Sequence, residues 1–562
     1  MINNINDKKK FKVAIIIQSL KMNKFEKEII EKLKLDNDLD LIAILEKKKN
    51  NNILKKIAFS LKKNSILRNF EIFFFKIVFL TERLLLTFFY HNLKELNDRY
   101  TVDKSSFKKI IHVDPVYSEK GLYSEYNEND FNKIIKENLD IAVRGNVNEI
   151  FANNKLKISK LGIISFHHGD NNWNKGGPPG FWETYLNKPA TGFIIQLLND
   201  KLDDGDVLFR GEFATKRLFT LNKYNLFRES NLNLVKIIKK TLMYKIDKES
   251  KTNLGELKIL KVPNFVTTCK YILLKIKLFY NLFLNKYILK KRQKWFVSYS
   301  RNNFDKLNLE NSTQIRNLKN RYFADPFVIS RDEKKYIFVE DFSLLKNKGS
   351  ISVIEIDKNE NQKIYEKIID EDFHTSFPFI FNYRNNYYMI PETSTTNSIR
   401  LYKCTHFPDK WNFCYDLISN INCADTIIIE REGYFYLLTS TSYYDDFSSK
   451  LEIFFSESPI SKTWKQHQSN PIFFDIKNGR NGGIIFQNNN VYRVTQNFGI
   501  NRFKDNQYGR EISINNIKTL SIEKYEQGHI TTIKPNYKKD LLGTHHMNGI
   551  DNFTVFDYCL YD

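Results

Sequence analysis

The five cysteines, Cys269, Cys404, Cys414, Cys423 and Cys559, form no CxxC pair and are odd in number. That pattern excludes a disulfide framework and a zinc site, and no metal is expected. Neither G-x-G-x-x-G nor G-x-x-x-x-G-K-[ST] occurs, so no dinucleotide site or P-loop is indicated. No RNP, KH or helix-turn-helix signal is present either, and the basic charge is dispersed, which argues against a nucleic-acid partner. The start, MINNINDKKKFKVAIII, is basic before an apolar run, but that run is too short for a signal h-region and no small-residue cleavage site follows. The expected location is the cytoplasm.

Long uncharged apolar runs are missing as well. Residues 70–90, FEIFFFKIVFLTERLLLTFFY, are interrupted by Lys76, Glu82 and Arg83. Each central charge in a spanning helix costs a few kcal/mol, so a packed or interfacial helix is expected. Residues 268–294 mix Lys with Leu, Ile, Phe and Tyr at helical spacing. This is the pattern of a basic helix resting on an anionic membrane, at the inner face of the cytoplasmic membrane; a helix packed on its own domain is the alternative.

What the chain does have is length, aromatic content and positive charge. Its 562 residues are 42% hydrophobic, enough for two or three domains with cores, and its 46 Phe and 30 Tyr suit a large β-rich portion. The net charge of +22 fits an anionic sugar, a membrane face or nucleic acid, or a base-composition bias expressed as scattered Lys.

Strand and helix signals alternate through the first third. KVAIIIQS (12–19), LDLIAILE (39–46), KKIIHVD (108–114), LDIAVRGN (139–146) and LGIISFHH (161–168) read as strands, with a helical insertion near 51–98. The alternation predicts a mostly parallel sheet whose sites lie at the carboxyl ends of strands, where Arg144-Gly145-Asn146 and Ser165–Asp170 fall. Residues 162–210 run GIISFHHGDNNWNKGGPPGFWETYLNKPATGFIIQLLNDKLDDGDVLFR. An imidazole and a carboxylate at adjacent strand ends suit acyl or formyl transfer to an amine. The Gly-Gly-Pro-Pro-Gly run (176–180) suits a phosphate cradle or a tight turn before a helix.

With its R-G, T-G and L-D-x-G elements in order, residues 12–245 resemble the formyltransferase family, which includes methionyl-tRNA and sugar N-formyltransferases. The resemblance implies a Rossmann-like domain and 10-formyltetrahydrofolate as donor. It places catalysis on His167 and Asp203, with Ser165 where the family has Asn, and the substrate or cofactor near Arg144, Gly145, Asn146, Asn171, Asn172, Gly177 and Asp204. His168, without a partner aspartate, reads as structural.

Beyond 295 the sequence repeats: FADPFVISRDEKKYIFVEDF, SFPFIFNYRNNYYMIPETS, CADTIIIEREGYFYLLTSTS and GRNGGIIFQNNNVYRVTQNF, with a weaker fifth unit at 528–558. Asp325, Pro378, Asp425 and Gly482 align across the four, and a period of about 50 residues with short strands predicts a five-bladed β-propeller. These repeats resemble the propeller at the N-terminus of glucosamine inositolphosphorylceramide transferases and, more distantly, five-bladed arabinanase-type glycosidases. The latter resemblance implies a base at Asp325, with Glu340, Glu392 and Asp425 also facing the axis. Arg480, His545, His374 and His546 recur at blade starts. Sugar binding, glycoside chemistry and plain scaffolding remain open for this half.

The fold expectation is thus an α/β Rossmann-like formyltransferase domain (1–245), a basic helical linker (246–294) and an all-β five-bladed β-propeller (295–562). The functional expectation is formyl transfer to an amino sugar, nucleotide- or lipid-linked. The alternative is a propeller-based glycosidase, glycosyltransferase or glycan binder whose front domain no longer reacts.

Overall fold

The computed structural model describes residues 10–48, 65–118, 123–147, 149–172, 176–199, 205–243, 259–442, 446–501, 506–550 and 552–561. Asp203, Asp204 and the first part of the 51–98 insertion lie outside them. The chain divides into two compact units: Met1–Gly211 with Thr215–Ile276, and Glu212–Ala214 with Lys277–Asp562.

In the first unit the sheet strands are Phe11–Ile17 (β1), Leu39–Glu46 (β2), Lys109–Val113 (β3), Ile141–Arg144 (β4), Ile163–His167 (β5), Ala190–Leu197 (β6) and Asp206–Ala214 (β7). Their order is β7-β6-β5-β4-β1-β2-β3. Strands β1 to β5 pair in parallel and β6 joins β5 antiparallel. The uninterrupted Val-Ala-Ile-Ile-Ile of β1 follows from its central place, because a strand covered on both faces needs no polar alternation. Val13, Ile15 and Ile17 pack with Ile29, Ile30, Leu234 and Ile238 of helices Lys24–Lys34 (α1) and Phe219–Met243. Ala14 and Ile16 pack on the other face with Ile134 and Phe151. An Asn23–Glu26 capping box starts α1 just beyond the end of β1.

The insertion becomes helix α2, Ile66–Phe89, and the segment expected as a linker carries helix α3, Phe265–Phe283. Phe75 and Phe79 of α2 and Tyr271 of α3 form one aromatic cluster with Phe181 and Phe219, and the Tyr271 hydroxyl donates to Glu82 at 2.7 Å.

The second unit is a β-propeller of five blades. Blade one is Arg321–Ile369, blade two Ser376–Ser419, and blade three Cys423–Phe474. Blade four runs from Arg480 to Ile533, so residues 525–533 are its outer strand and not the start of the fifth unit. Blade five combines both ends of the repeat: Met547–Ile550 and Phe553–Tyr561 pair with Gln293–Ser300 and Thr313–Gln314. The eight-residue register from Gln293↔Tyr561 to Ser300↔Thr554 closes the ring and removes what would otherwise be exposed strand edges.

Each of the first four inner strands carries a two-residue bulge, between Ala324 and Phe327, Ser376 and Phe379, Ala424 and Ile427, and Asn481 and Ile484. The structural equivalents are therefore Asp325, Phe377, Asp425 and Gly482; Pro378 is one residue out of phase. Asp325, Phe377 and Asp425 all sit in the left-handed region, at φ 48°, 45° and 54°. Such strain, about 1–3 kcal/mol per residue, is characteristic of functional positions.

Candidate functional site

The first unit does bring most of its predicted residues together. Arg144, Gly145, Asn146, Ser165, His167 and His168 line one cleft of about 820 Å³ at the carboxyl ends of β1, β4 and β5. Their contacts, however, are largely internal. The Arg144 Nε donates to Val147 O at 3.1 Å, and Asn146 holds Gln18 N at 2.8 Å and Ser19 O at 3.2 Å. Gly145 is needed for space, since a Cβ there would lie 2.7 Å from Ile16 O. Ser165 is buried, with its hydroxyl 3.4 Å from the carbonyl of Phe166. His168 lies between Phe166 and Phe227, and burial, then the charges of His167 and Lys223, push its pKa down to about 3. It is a neutral packed ring, as the sequence implied. Asn172 N donates to the Asp170 carboxylate, which pairs with Arg210. Gly177 precedes the short helix at Phe181–Tyr185, in the position of a turn.

The propeller holds a denser set. Asp325 and Asp425, on equivalent bulges of blades one and three, point into a group with Glu340, Glu392, Arg480, His545 and Asp557, whose charges act on one another. Glu340 faces Ala324 and Glu392 faces Ser376 across their hairpins, so these glutamates are equivalent positions of blades one and two. The same position holds Ser440 in blade three and Thr495 in blade four. All of the expected axial residues are therefore assembled. His374 flanks them: its Nδ1 accepts from Gly349 N at 2.9 Å, which leaves Nε2 toward Glu340 at 3.5 Å.

Charge balance is the governing feature of this group. Burial, opposed by His545 and reinforced by neighbouring carboxylates, pushes Asp325 up to about 7. Burial and Glu392 push Asp425 up to about 7 although Arg480 Nε is 2.5 Å away. Burial and the surrounding acids raise Glu340 well above the carboxylate range. Asp557 goes the other way: despite burial, the charge and hydrogen bond of His545 hold it low. Its oxygens accept from the backbone N–H groups of Asp325 (3.0 Å), His545 (3.1 Å) and His546 (3.0 Å), and from His545 Nδ1 at 2.8 Å. His545 is in turn raised by Asp557 and Asp325, which outweigh its burial. The group thus sets carboxyls pushed up beside one held low, the kind of separation that acid–base chemistry uses.

Several contributors escape the sequence reading. Asp557 anchors the cluster from the closing strand; its only signal is a lone acid inside the apolar FTVFDYCL. Gln496 donates to Asp425 at 2.9 Å, Trp295 stacks on His545 at 3.8 Å, and the Arg480 guanidinium lies 4.7 Å over the Tyr508 ring. Asp325, His545 and Asp557 also place ligand-type atoms within 4.8 Å of one another. The Nδ1 of His545 is already committed to Asp557 at 2.8 Å.

Fold and site define a β-propeller with an axial carboxyl group. Residues 307–554 match the family model described as glucosamine inositolphosphorylceramide transferase 1, N-terminal. The chain is 34% identical over 216 residues to glucosamine inositolphosphorylceramide transferase 1 of Arabidopsis thaliana, covering 37% of this chain and 27% of that protein. It thus spans about a quarter of the length of the curated relatives it matches. Among solved structures, arabinanase Arb43A of Bacillus subtilis is similar at 12% identity and TM-score 0.30, over 42% of this chain and 92% of that one. A sugar N-formyltransferase from Shewanella sp. is similar at 14% identity and TM-score 0.26, over 47% and 87%. At those scores neither superposition carries weight.

These findings overturn formyl transfer as the function. The sequence matches carry the name of a glucosamine inositolphosphorylceramide transferase, a different group transfer, and the family model lies on residues 307–554, within the second unit. The roles expected of His167, Asp203 and Ser165, and the folate donor, rest on that reading alone. Physically, the front cleft holds the buried Ser165 beside His167 and His168, while the propeller gathers several perturbed carboxyls around one arginine and one histidine.

Proposed function

We propose that the propeller is the working part of this chain and that it acts on a glycoside, with its axial carboxyls as acid and base. The observation that carries this reading is the pair of strained, buried aspartates at equivalent bulges of blades one and three, Asp325 and Asp425. Glycosidic bond chemistry needs one carboxyl that keeps its proton and one that gives it up. Glu340, the acid with four other carboxyls acting on it, is the proton donor to the leaving oxygen. Asp425, raised to about 7 by burial and Glu392 while Arg480 favours its charge, is the partner that gives its proton up near neutral pH and then stabilises the sugar cation or activates its acceptor. The names of the relatives support a substrate in which a sugar such as glucosamine is joined to an inositol phosphate lipid, and the net charge of +22 suits that phosphate. No nucleic acid is part of this reading.

The test is turnover of aryl glycosides and of glucosaminyl inositol phosphate substrates, as hydrolysis and as transfer, by the full chain. Glu340→Gln and Asp425→Asn are each expected to lower the rate by about 10²–10⁴-fold with the fold intact. Undiminished turnover in both variants would refute the assignment. The near-complete burial of Asp425 favours a second reading, sugar binding without chemistry. Saturable binding of the same sugars with no turnover by the wild type would establish it.

A further inference from the structure

Helix α2 is apolar on two opposite faces, and the first unit uses only one. Phe75 and Phe79 pack on Phe181 at 5.3 and 5.7 Å and on the rest of the aromatic cluster. On the far side, Phe70, Phe73, Ile77, Leu84 and Phe88 follow one another at three-, four- and seven-residue steps, and all are exposed, Phe88 by 88%. A helix apolar all round belongs in a core or in lipid. Helix α3 lies beside it, with Phe265 4.7 Å from Phe74, and adds exposed Val266 and Leu273. Counting partly exposed aromatic and aliphatic side chains, the two helices present apolar surface on the order of 1,000 Å², from their areas of about 150–250 Å² each. An ordinary monomer's largest patch is about 300–600 Å².

The charges on these helices are sorted. Glu71 pairs with Arg68, and Glu82 accepts from Thr220 N and the Tyr271 hydroxyl, so both carboxylates of α2 are held on the protein side. Helix α3 has Lys270, Lys275 and Lys277 and no acidic residue. Lys270 sits one helical turn from both Val266 and Leu273 and is itself exposed. A lysine at the margin of an apolar face can bury its stem and leave the ammonium at phosphate depth. Among the described residues no helix is long and apolar enough to cross a membrane.

We infer that the paired faces of α2 and α3 seat the first unit on the surface of an anionic lipid bilayer, as an in-plane anchor. This stands apart from the reading of the propeller, since none of its residues enters. The experiment is co-sedimentation of the full chain with phosphatidylcholine vesicles, with and without phosphatidylglycerol. The expected result is binding to the anionic vesicles, weakened by salt, with little binding to the neutral ones. Phe73→Asp with Leu84→Asp should weaken binding by at least about tenfold, a loss of about 1.4 kcal/mol, without changing the thermal midpoint. Lys270→Glu should weaken binding to anionic vesicles only. The inference is overturned if the wild type stays in the supernatant with both vesicles, or if the double variant binds as well as the wild type. It is equally overturned if the wild type is a dimer that the double variant splits, since a second copy would then own the face.

Discussion

Asp557→Asn is the most direct probe of how the propeller is held together. Four hydrogen bonds converge on the Asp557 carboxylate, three from backbone N–H groups and one from His545. An asparagine fits the space, but only one of its two terminal atoms accepts. Whichever way it turns, its NH₂ faces a backbone N–H that is 3.0–3.1 Å away in the wild type. Hydrogen bonds to a charged group contribute about 1.5–3 kcal/mol each, and breaking a buried charged pair costs about 3–5 kcal/mol. The larger figure governs, because the lost partner leaves His545 buried beside Asp325 without its anion. For a unit of this size about 2–4 °C accompanies each kcal/mol, so the propeller transition should fall by roughly 10 °C in calorimetry at neutral pH. The pH dependence supplies a second check. Asp557 is depressed below its ordinary 3.8, so its contribution exists above that value and is lost as pH falls through its folded pKa. His545 is raised above its ordinary 6.5, so its contribution exists below that value and is lost as pH rises through its folded pKa. The difference between wild type and variant should peak between those two ordinary values and shrink on both sides. A transition within about 2 °C of wild type across that range would refute the account.

Three other outcomes follow from separate parts of the molecule. Lys155→Met should destabilise the first unit by about 3–5 kcal/mol in urea unfolding, since Lys155 and Glu46 are both fully buried and 2.5 Å apart; adding Glu46→Gln should restore part of it. Gly483→Ala should cost the propeller about 2–4 kcal/mol, because Gly483 has φ 113° and a Cβ would lie 2.2 Å from Met547 O. Asp425 is raised to about 7, so the folded state binds more protons than the unfolded one and stability falls as pH rises toward that value. Asp425→Asn should flatten the decline in thermal midpoint between about pH 4 and about pH 7, and an unchanged slope would show that this carboxyl is not the group titrating.

The axial residues were legible where the repeat marked them. An acid at the same place in successive strand-turn-strand units is hard to explain by solvation; Asp325 and Asp425 are marked that way, Glu340 and Glu392 by the glycosidase resemblance, and Arg480 by its place at a blade start. The phase was less legible: a bulge adds a residue to one strand only, so Pro378 was aligned where Phe377 belongs. The fifth blade was misread because its strands come from both ends of the repeat, and no local pattern records that residues near 295 pair with residues near 558. In the first unit the strands were readable from apolar runs alone, Leu39–Glu46 to the residue. The spacing of His167 and Ser165 placed them in one cleft correctly, yet it could not say whether their neighbours left them free to react. Asn146 bound to the chain at Gln18 and Ser19 is a fact of packing that no motif encodes.

Closure of the ring and assembly of the acid cluster are one event in this fold. Asp557 lies on the closing strand opposite Val297, and Trp295, on the strand it closes against, stacks on His545. Without that pairing His545 loses the nearest of the anions that raise it, and Asp325 loses the acceptor for its backbone N–H. Asp325 and Asp557 are both buried aspartates in the same group, yet one is pushed up to about 7 and the other held low. The difference is in donors: Asp557 collects four, while His545 reaches Asp325 only at 3.5 Å. The inequality of these two carboxyls is therefore produced by where the N–H donors converge. A chain cut before residue 553 should lose more than a strand: its remaining axial acids would titrate without the ionised member that fixes their order.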